Sequence, residues 1–371
     1  MSQQGVYSEL KPVWWAAREG LNWPEAPKQV QLILSDLCTH DCRWCAYRWT
    51  GYTSNQKFTE GAEISKFGHN NPIRFMPTER ALRLLDEFKE LGVLGVQYTG
   101  GGESSLHKDH ETIYRKTLEI GLRAALVSNG DSWGPNLATD ILPRFDWVRV
   151  SIDAGTPETY ARTRGISPLR WDRVWGHVRS LAESIKKSDS KTTLGIGFVV
   201  APDSWMEIPE CCRLAKQAGA EYVRLSAIFS PEDEKPYLPI YSGIVGLIEA
   251  SKQKYNGDGF YVADNFGSRI EDLKLGNPDY KTCGYMRYTT YIGADHNNYV
   301  CCVYSYNNRG LMTSIKDRSF AEWWRSDERK AFMENFDARG CERCQFNERN
   351  KQLNYVRGTT QSDTVRHMEW T

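Results

Sequence analysis

The chain has 371 residues, which at about 150 residues per domain leaves room for one large domain and one or two small ones. Forty-seven Lys and Arg balance 47 Asp and Glu, which argues against a surface that coats nucleic acid or an anionic membrane through bulk charge, although a local basic groove is compatible with neutrality. Ten cysteines are too sparse for a disulfide scaffold, and Met1-Ser2-Gln3-Gln4-Gly5 lacks the regions of a secretory signal. No apolar run reaches the roughly 18 residues of a membrane span, so a reducing, cytoplasmic compartment without membrane association is expected.

Residues 1–28 read as an N-terminal extension. Strand-like segments then recur at 29–35, 94–99, 123–128, 147–153, 192–200 and 222–229, separated by helical patterns. Six strands alternating with helices predict βα units and a parallel sheet. Thr78 as N-cap after Pro77, Leu82, Leu85, Phe88 and Leu91 at three-residue steps, and Gly92 as a stop predict a helix over 78–91. Before it, residues 46–77 form a long connection carrying Tyr47, Trp49, Tyr52, Phe58, Phe67 and Phe75. Its length and aromatic content predict an ordered cover over a site. The polar stretch 184–193 reads as a solvated loop, 231–235 as a second loop, and 241–255 as a helix. A boundary near 255–280 divides a domain over 29–255 from a β-rich, cysteine-bearing domain over 270–350, followed by a tail over 351–371.

The cysteines fall into two sets with the pair Cys211 and Cys212, read as ordinary buried thiols, between them. In Cys38-Thr39-His40-Asp41-Cys42-Arg43-Trp44-Cys45, three thiols sit within eight residues just after the first strand. Three thiolates can hold three irons of a four-iron cluster and leave the fourth iron open to a ligand. A zinc site completed by His40 or Asp41, or three buried thiols, are the alternatives. Further candidates end successive strands: Thr99-Gly100-Gly101-Gly102-Glu103, Ser128-Asn129-Gly130 and Ser151-Ile152-Asp153. Arg164 lies soon after the fourth. Glycine runs allow close backbone approach to a ligand, and C-terminal strand ends are where barrel enzymes build their sites. Each group also has a plain structural reading as a turn or an ion pair.

The first cysteine run resembles the cluster motif of the radical SAM superfamily, with Trp44 as the aromatic residue that precedes the third cysteine. The resemblance covers residues 29–230 and implies a partial (β/α)6 TIM-type barrel. It further implies a [4Fe-4S] cluster on Cys38, Cys42 and Cys45, chelated at its open iron by S-adenosylmethionine. Trp44 would then pack by the adenine, and Gly101, Gly102 and Glu103 would form the glycine-rich motif that binds the methionine amino group. Ser104 stands where the family often has proline. Asn129 and Ser151 would contact ribose and carboxylate, and Arg164 would pair with the carboxylate, a task suited to a guanidinium fork. The implied chemistry is reductive cleavage to a 5′-deoxyadenosyl radical that abstracts hydrogen from a substrate, with a reductant such as flavodoxin or ferredoxin as partner.

Cys283, Cys301, Cys341 and Cys344 form the second set. Strand-like segments at 288–291 and 299–304 flank Asp295-His296-Asn297-Asn298, which predicts a hairpin turning at these residues. A hairpin followed by CxxC can gather four thiolates, and on spacing alone a structural zinc site fits as well as an iron-sulfur cluster. The set resembles a twitch domain, a shortened relative of SPASM, which implies one auxiliary [4Fe-4S] cluster. Cys302 could replace Cys301, although alternation along a strand sends only one of the two inward.

Two function classes follow: a radical enzyme, or a zinc module that binds protein or nucleic acid. No cobalamin-type Asp-x-His-x-x-Gly signature is present. The stretch 35–48, then 51–55, also resembles radical SAM proteins encoded by bacteriophages, which would place the chain in a host cytoplasm. Some of those belong to thymine-hypermodification pathways, where an isomerase rearranges an amino acid attached to the base. That rearrangement on modified DNA is the expected reaction, with oxidation or cross-linking of a peptide or small molecule as the alternative. Lys57, Lys66 and Arg74 would supply a local groove. Tyr47, Tyr52 and Tyr98 are candidate site aromatics, but such residues more often pack, and no catalytic residue is assigned.

Overall fold

The computed structural model describes residues 11–19, 22–47, 75–229 and 233–361. Most of the 46–77 connection, including Trp49, Tyr52, Phe58, Phe67, Lys57, Lys66 and Arg74, lies outside the described residues.

All six expected strands form: β1 (Gln29–Leu32), β2 (Gly95–Tyr98), β3 (Arg123–Ser128), β4 (Trp147–Ser151), β5 (Thr193–Val200) and β6 (Tyr222–Ala227). They pair in parallel in sequence order. A seventh parallel strand, β7 (Tyr261–Asp264), extends the alternation beyond β6. It falls inside the 255–280 stretch that the sequence marks as a domain boundary.

The C-terminal strands β8 (Thr289–Ile292), β9 (Asn297–Tyr299) and β10 (Leu311–Ser314) do not form a separate sheet. β8 pairs in parallel with β1, placing Gln29 opposite Thr289 and Leu32 opposite Ile292. The result is one ten-stranded sheet in the order β10-β9-β8-β1-β2-β3-β4-β5-β6-β7. The hairpin turns earlier than its sequence suggests. Asn297 and Asn298 are in β9, and His296 takes the left-handed conformation, at φ 63°.

The helices are α1 (Lys11–Arg18), α2 (Thr78–Leu91), α3 (His110–Glu119), α4 (Pro157–Arg164), α5 (Arg170–Lys187), α6 (Ile208–Gln217), α7 (Tyr241–Tyr255) and α8 (Phe266–Leu275), then α9 (Tyr285–Tyr288), α10 (Phe320–Arg325), α11 (Asp327–Asn335) and α12 (Asn347–Gln361). Between β3 and β4 a π turn and a 3-10 turn over 137–144 replace a regular helix. In α2, Gly92 stops the helix at φ 86°, and Ala81, Leu84, Leu85 and Phe88 form the buried stripe. Leu82 stands at its edge because an i, i+3, i+4, i+7 stripe, not strict three-residue steps, faces one side of a 3.6-residue helix. Cys211 and Cys212 are buried on α6.

Alternation along the strands separates two environments. Val30, Leu32, Leu126, Val148, Ile196 and Phe198 lie in the apolar layer beneath the helices. Residues of the other register face a lumen of about 1270 Å³. Tyr98 belongs to the helix side, where its hydroxyl meets Thr117, so it packs and does not face the lumen.

Candidate active site

The loop after β1 carries Cys38, Cys42 and Cys45, all half-buried. Backbone bonds hold it on two sides. The Gly102 and Glu103 N–H groups donate to Ser35 O at 2.9 Å and Leu37 O at 2.7 Å. The Asp41 and Arg43 N–H groups donate to Arg164 O at 2.8 Å and Thr163 O at 3.2 Å. This close seating explains the glycine run. A Cβ on Gly101 would lie 2.3 Å from Asp36 Oδ1, and one on Gly102 would lie 2.0 Å from Leu37 O. The Tyr306 hydroxyl donates to the same Asp36 carboxylate, which ties the loop to the C-terminal region.

The other expected site residues surround this loop. Asn129 directs Nδ2 at Cys38 Sγ (3.6 Å) and Thr39 Oγ1 (3.3 Å), while the His40 N–H points at Cys38 Sγ from 3.4 Å. Arg164 is buried, with Nη1 3.3 Å from Cys42 Sγ, Nη2 2.6 Å from Asp153 and Nε donating to Ile152 O. Burial opposes its charge, but Asp153 and Cys42 outweigh that and hold its pKa above the usual value. Trp44 donates to Asp153. Ser151, half-buried at the end of β4, lies opposite Gly197 of β5. Glu103 is buried and engaged within the protein: Oε1 accepts from Ser128 at 2.8 Å and Ser105 at 2.9 Å, and Oε2 accepts from the Asn129 N–H at 2.7 Å. It ties the loop after β2 to the loop after β3.

Asp153 joins Trp44, Arg164 and the Val199 N–H (2.7 Å) and takes a left-handed φ of 62°. The sequence alone assigns a cofactor contact to its neighbour Ser151 and none to Asp153. Its signal was an acid just past a strand end, where Asp tolerates positive φ. Tyr47, two residues after Cys45, has its hydroxyl 2.5 Å from that of Tyr291 on β8, and the Tyr291 hydroxyl donates to Gly100 O at 2.5 Å. One pair of phenols therefore links the cysteine loop, the glycine run and the C-terminal strands.

Cys283, Cys301, Cys341 and Cys344 all line one enclosed, largely apolar chamber with Tyr304, Phe336 and Phe346. Cys302 faces away from it into the lumen, where Gln345 Nε2 lies 2.7 Å from its sulfur. The two neighbours part in a loop, because β9 ends at Tyr299 and strand alternation plays no part. Each chamber sulfur meets donors. Cys344 accepts from the Tyr280 hydroxyl and the Phe346 N–H, both at 3.3 Å. Cys283 accepts from Met286 and Asn350, Cys301 from the Tyr304 backbone, and Cys341 from Arg309 and Tyr304. Burial, reinforced by Cys344, pushes Cys283 up to about 12 and Cys341 up to about 11. Four thiols that line one apolar chamber, with hydrogen bonds aimed at their sulfurs, can serve as ligands once binding removes their protons. Among the described residues no three His, Cys, Asp or Glu side chains converge on the position of a metal ion.

Residues 32–223, more than half of the chain, match the radical SAM superfamily. The chain belongs to that superfamily. Residues 283–345 match the SPASM iron-sulfur cluster-binding domain. These matches decide what cysteine spacing left open between zinc and iron: this radical SAM enzyme binds a [4Fe-4S] cluster with S-adenosylmethionine and carries an auxiliary iron-sulfur domain. A curated relative is an S-adenosylmethionine-dependent nucleotide dehydratase from Selenomonas ruminantium, 22% identical over 163 residues, or 42% of this chain and 52% of the relative. The chain thus spans about half the length of that relative. Among solved structures, Streptococcus suis SuiB bound to precursor peptide SuiA superposes at a TM-score of 0.59 with 14% identity, covering 88% of this chain and 70% of that one. Native anSMEcpe with bound AdoMet superposes at 0.57 with 15% identity, covering 91% and 100%. At these identities the two structures show a shared fold. No helix among the described residues is long and apolar enough to cross a membrane.

Proposed function

We propose that this radical SAM enzyme rearranges, without net oxidation, an amino acid attached to a thymine base. When bound, the cluster and S-adenosylmethionine supply a 5′-deoxyadenosyl radical that removes a hydrogen atom from a substrate C–H bond. Cys38, Cys42 and Cys45 hold three irons, and Asn129, the His40 N–H and Arg164 donate to the sulfurs and fix the loop. Trp44, oriented by Asp153, presents its ring to the adenine, while Ser151 and the backbone around Gly101 and Gly102 line the cofactor seat. Glu103 and Arg164, engaged within the protein, act by positioning the loops. Cys283, Cys301, Cys341 and Cys344 ligate one auxiliary cluster, and flavodoxin or ferredoxin supplies the electron.

The observation that carries the substrate reading is the charge of the lumen. Its described lining holds nine Lys and Arg against four Asp and Glu, in a chain whose net charge is zero. Basic charge focused in a cavity favours an anionic substrate, and the similarity to a nucleotide dehydratase supports a nucleotide. The lumen has room for a nucleotide-sized ligand.

The test is anoxic incubation of the reconstituted, reduced enzyme with a thymidine carrying glycine on its 5-methyl carbon, followed by chromatography and mass spectrometry. A product of unchanged mass and altered retention is expected. A loss of two hydrogens would instead mark oxidation and overturn the isomerase assignment.

A further inference from the structure

Two buried carboxylates approach the cysteine loop, each paired with an arginine. The arginine of Asp153 is Arg164, which is buried and reaches Cys42 Sγ itself at 3.3 Å. The second carboxylate is Asp131, in the loop after β3. Its Oδ2 stands 4.0 Å from Nε2 of His40, which lies between Cys38 and Cys42 in the chain and donates its backbone N–H to Cys38 Sγ. The buried His40 ring packs edge-on against Tyr160, with centroids 5.9 Å apart, and Tyr160 lies within electrostatic reach of both Asp131 and Cys42. Arg170, at the start of α5, donates through Nη1 to Asp131 Oδ1 at 3.1 Å and to Oδ2 at 3.3 Å.

The two members of the second pair are unequally screened. The Asp131 side chain is fully buried, whereas that of Arg170 is 39% exposed. Water therefore weakens the field of the cation more than that of the anion, and the pair leaves a net negative field at the cysteine loop. Charge and position are also separable here. The backbone N–H of Asp131, not its carboxylate, donates to Asn129 Oδ1 at 2.9 Å, which leaves Asn129 Nδ2 facing Cys38. A side-chain change at Asp131 removes the charge and leaves that clamp in place.

We infer that the buried carboxylate of Asp131, offset from the surface side by Arg170, lowers the reduction potential of the cluster held by the first cysteine set. Reduction adds an electron to a cluster bound by thiolates, and a buried anion nearby opposes it, so the electron once delivered is more strongly reducing toward S-adenosylmethionine. Asp131 acts through its field and is a tuning residue, not a catalytic one. The inference goes beyond the substrate reading and rests on Cys38, Cys42 and Cys45 as the ligands of that cluster.

The test is a redox titration of the anoxically reconstituted holoenzyme, read by electron paramagnetic resonance. The first cluster is the one whose signal changes when S-adenosylmethionine is added, and the auxiliary cluster is an internal reference. Asp131→Asn should move the first midpoint potential in the positive direction, Arg170→Gln should move it in the negative direction, and Arg170→Lys should leave it near the wild-type value. The auxiliary midpoint should stay fixed in all three. Lost packing alone does not give shifts of opposite sign from the two members of one pair. An unmoved first midpoint in Asp131→Asn, shifts of the same sign in Asp131→Asn and Arg170→Gln, or loss of first-site iron in Asp131→Asn overturns the inference. Cys42→Ala, which should lack the first signal altogether, checks the ligand set separately from the pair.

Discussion

Arg164 Nη1 lies 3.3 Å from Sγ of Cys42, so the end of α4 touches the central cysteine of the first set. The same guanidinium pairs with buried Asp153 at 2.6 Å. Arg164→Ala would leave that carboxylate buried without its cation, a loss of about 3–5 kcal/mol. The variant's denaturation midpoint in the cluster-free form should fall accordingly. Arg164→Lys keeps the charge but loses the three-way fork. Its cleavage of S-adenosylmethionine should drop by about 10–100-fold, as for other groups that orient a metal ligand. Turnover measured at equal iron content checks this.

The partition of Cys301 and Cys302 into different cavities has a direct readout. Cys301→Ser should lose about half of roughly eight irons per chain, whereas Cys302→Ser should keep all of them. Iron and sulfide analysis after anoxic reconstitution distinguishes the two. Cys42→Ala should abolish cleavage of S-adenosylmethionine, while Cys341→Ala should retain cleavage uncoupled from product formation.

The chamber thiols give the cluster-free protein an alkaline weakness. Burial raises Cys283 to about 12 and Cys341 to about 11 in the folded state, above the unfolded value of about 8.5. A raised pKa stabilises the fold below the unfolded value, and that contribution is lost as pH rises toward 11 to 12. The melting temperature of the cluster-free form should therefore decline from about pH 8.5 upward. The loaded form, whose thiols are already ionised and bound, should be much flatter over the same range. Parallel melts across pH 7 to 10.5 test the difference.

Gly102→Ala would place a methyl group 2.0 Å from Leu37 O, and that atom is backbone in the cysteine loop. Accommodation requires the loop to shift, at about 1–3 kcal/mol or more. Reduced iron loading at the first site with normal loading at the second is the expected signature. Gly197→Ala, whose added Cβ finds only ordinary contacts, serves as the control.

The six strands and the helix over 78–91 were legible because apolar segments alternate regularly with amphipathic helical ones along residues 29–229. The cysteine sets were legible because thiols carry their chemistry in their identity. Asp153 was not: an Asp just past a strand end is common, and only the tertiary packing brings it to Arg164, Trp44 and the Val199 N–H. Neither local pattern nor spacing could have shown Tyr291 beside Tyr47, since their contact spans 244 positions. The role of Glu103 also depended on tertiary context, because its partners Ser128 and Asn129 belong to another strand end.

The pairing of β1 with β8 joins Gln29 to Thr289. During synthesis, the first strand of the barrel leaves the ribosome long before its second neighbour exists. Until then its edge offers unpaired N–H and C=O groups directly ahead of the cysteine loop, a surface on which nascent chains can associate. The strand that covers that edge begins just six residues after Cys283. Biogenesis thus has a built-in order: the first cysteine loop reaches its final seat only once the segment bearing the second set has docked. Loss of the C-terminal third would therefore be felt at both iron-sulfur sites.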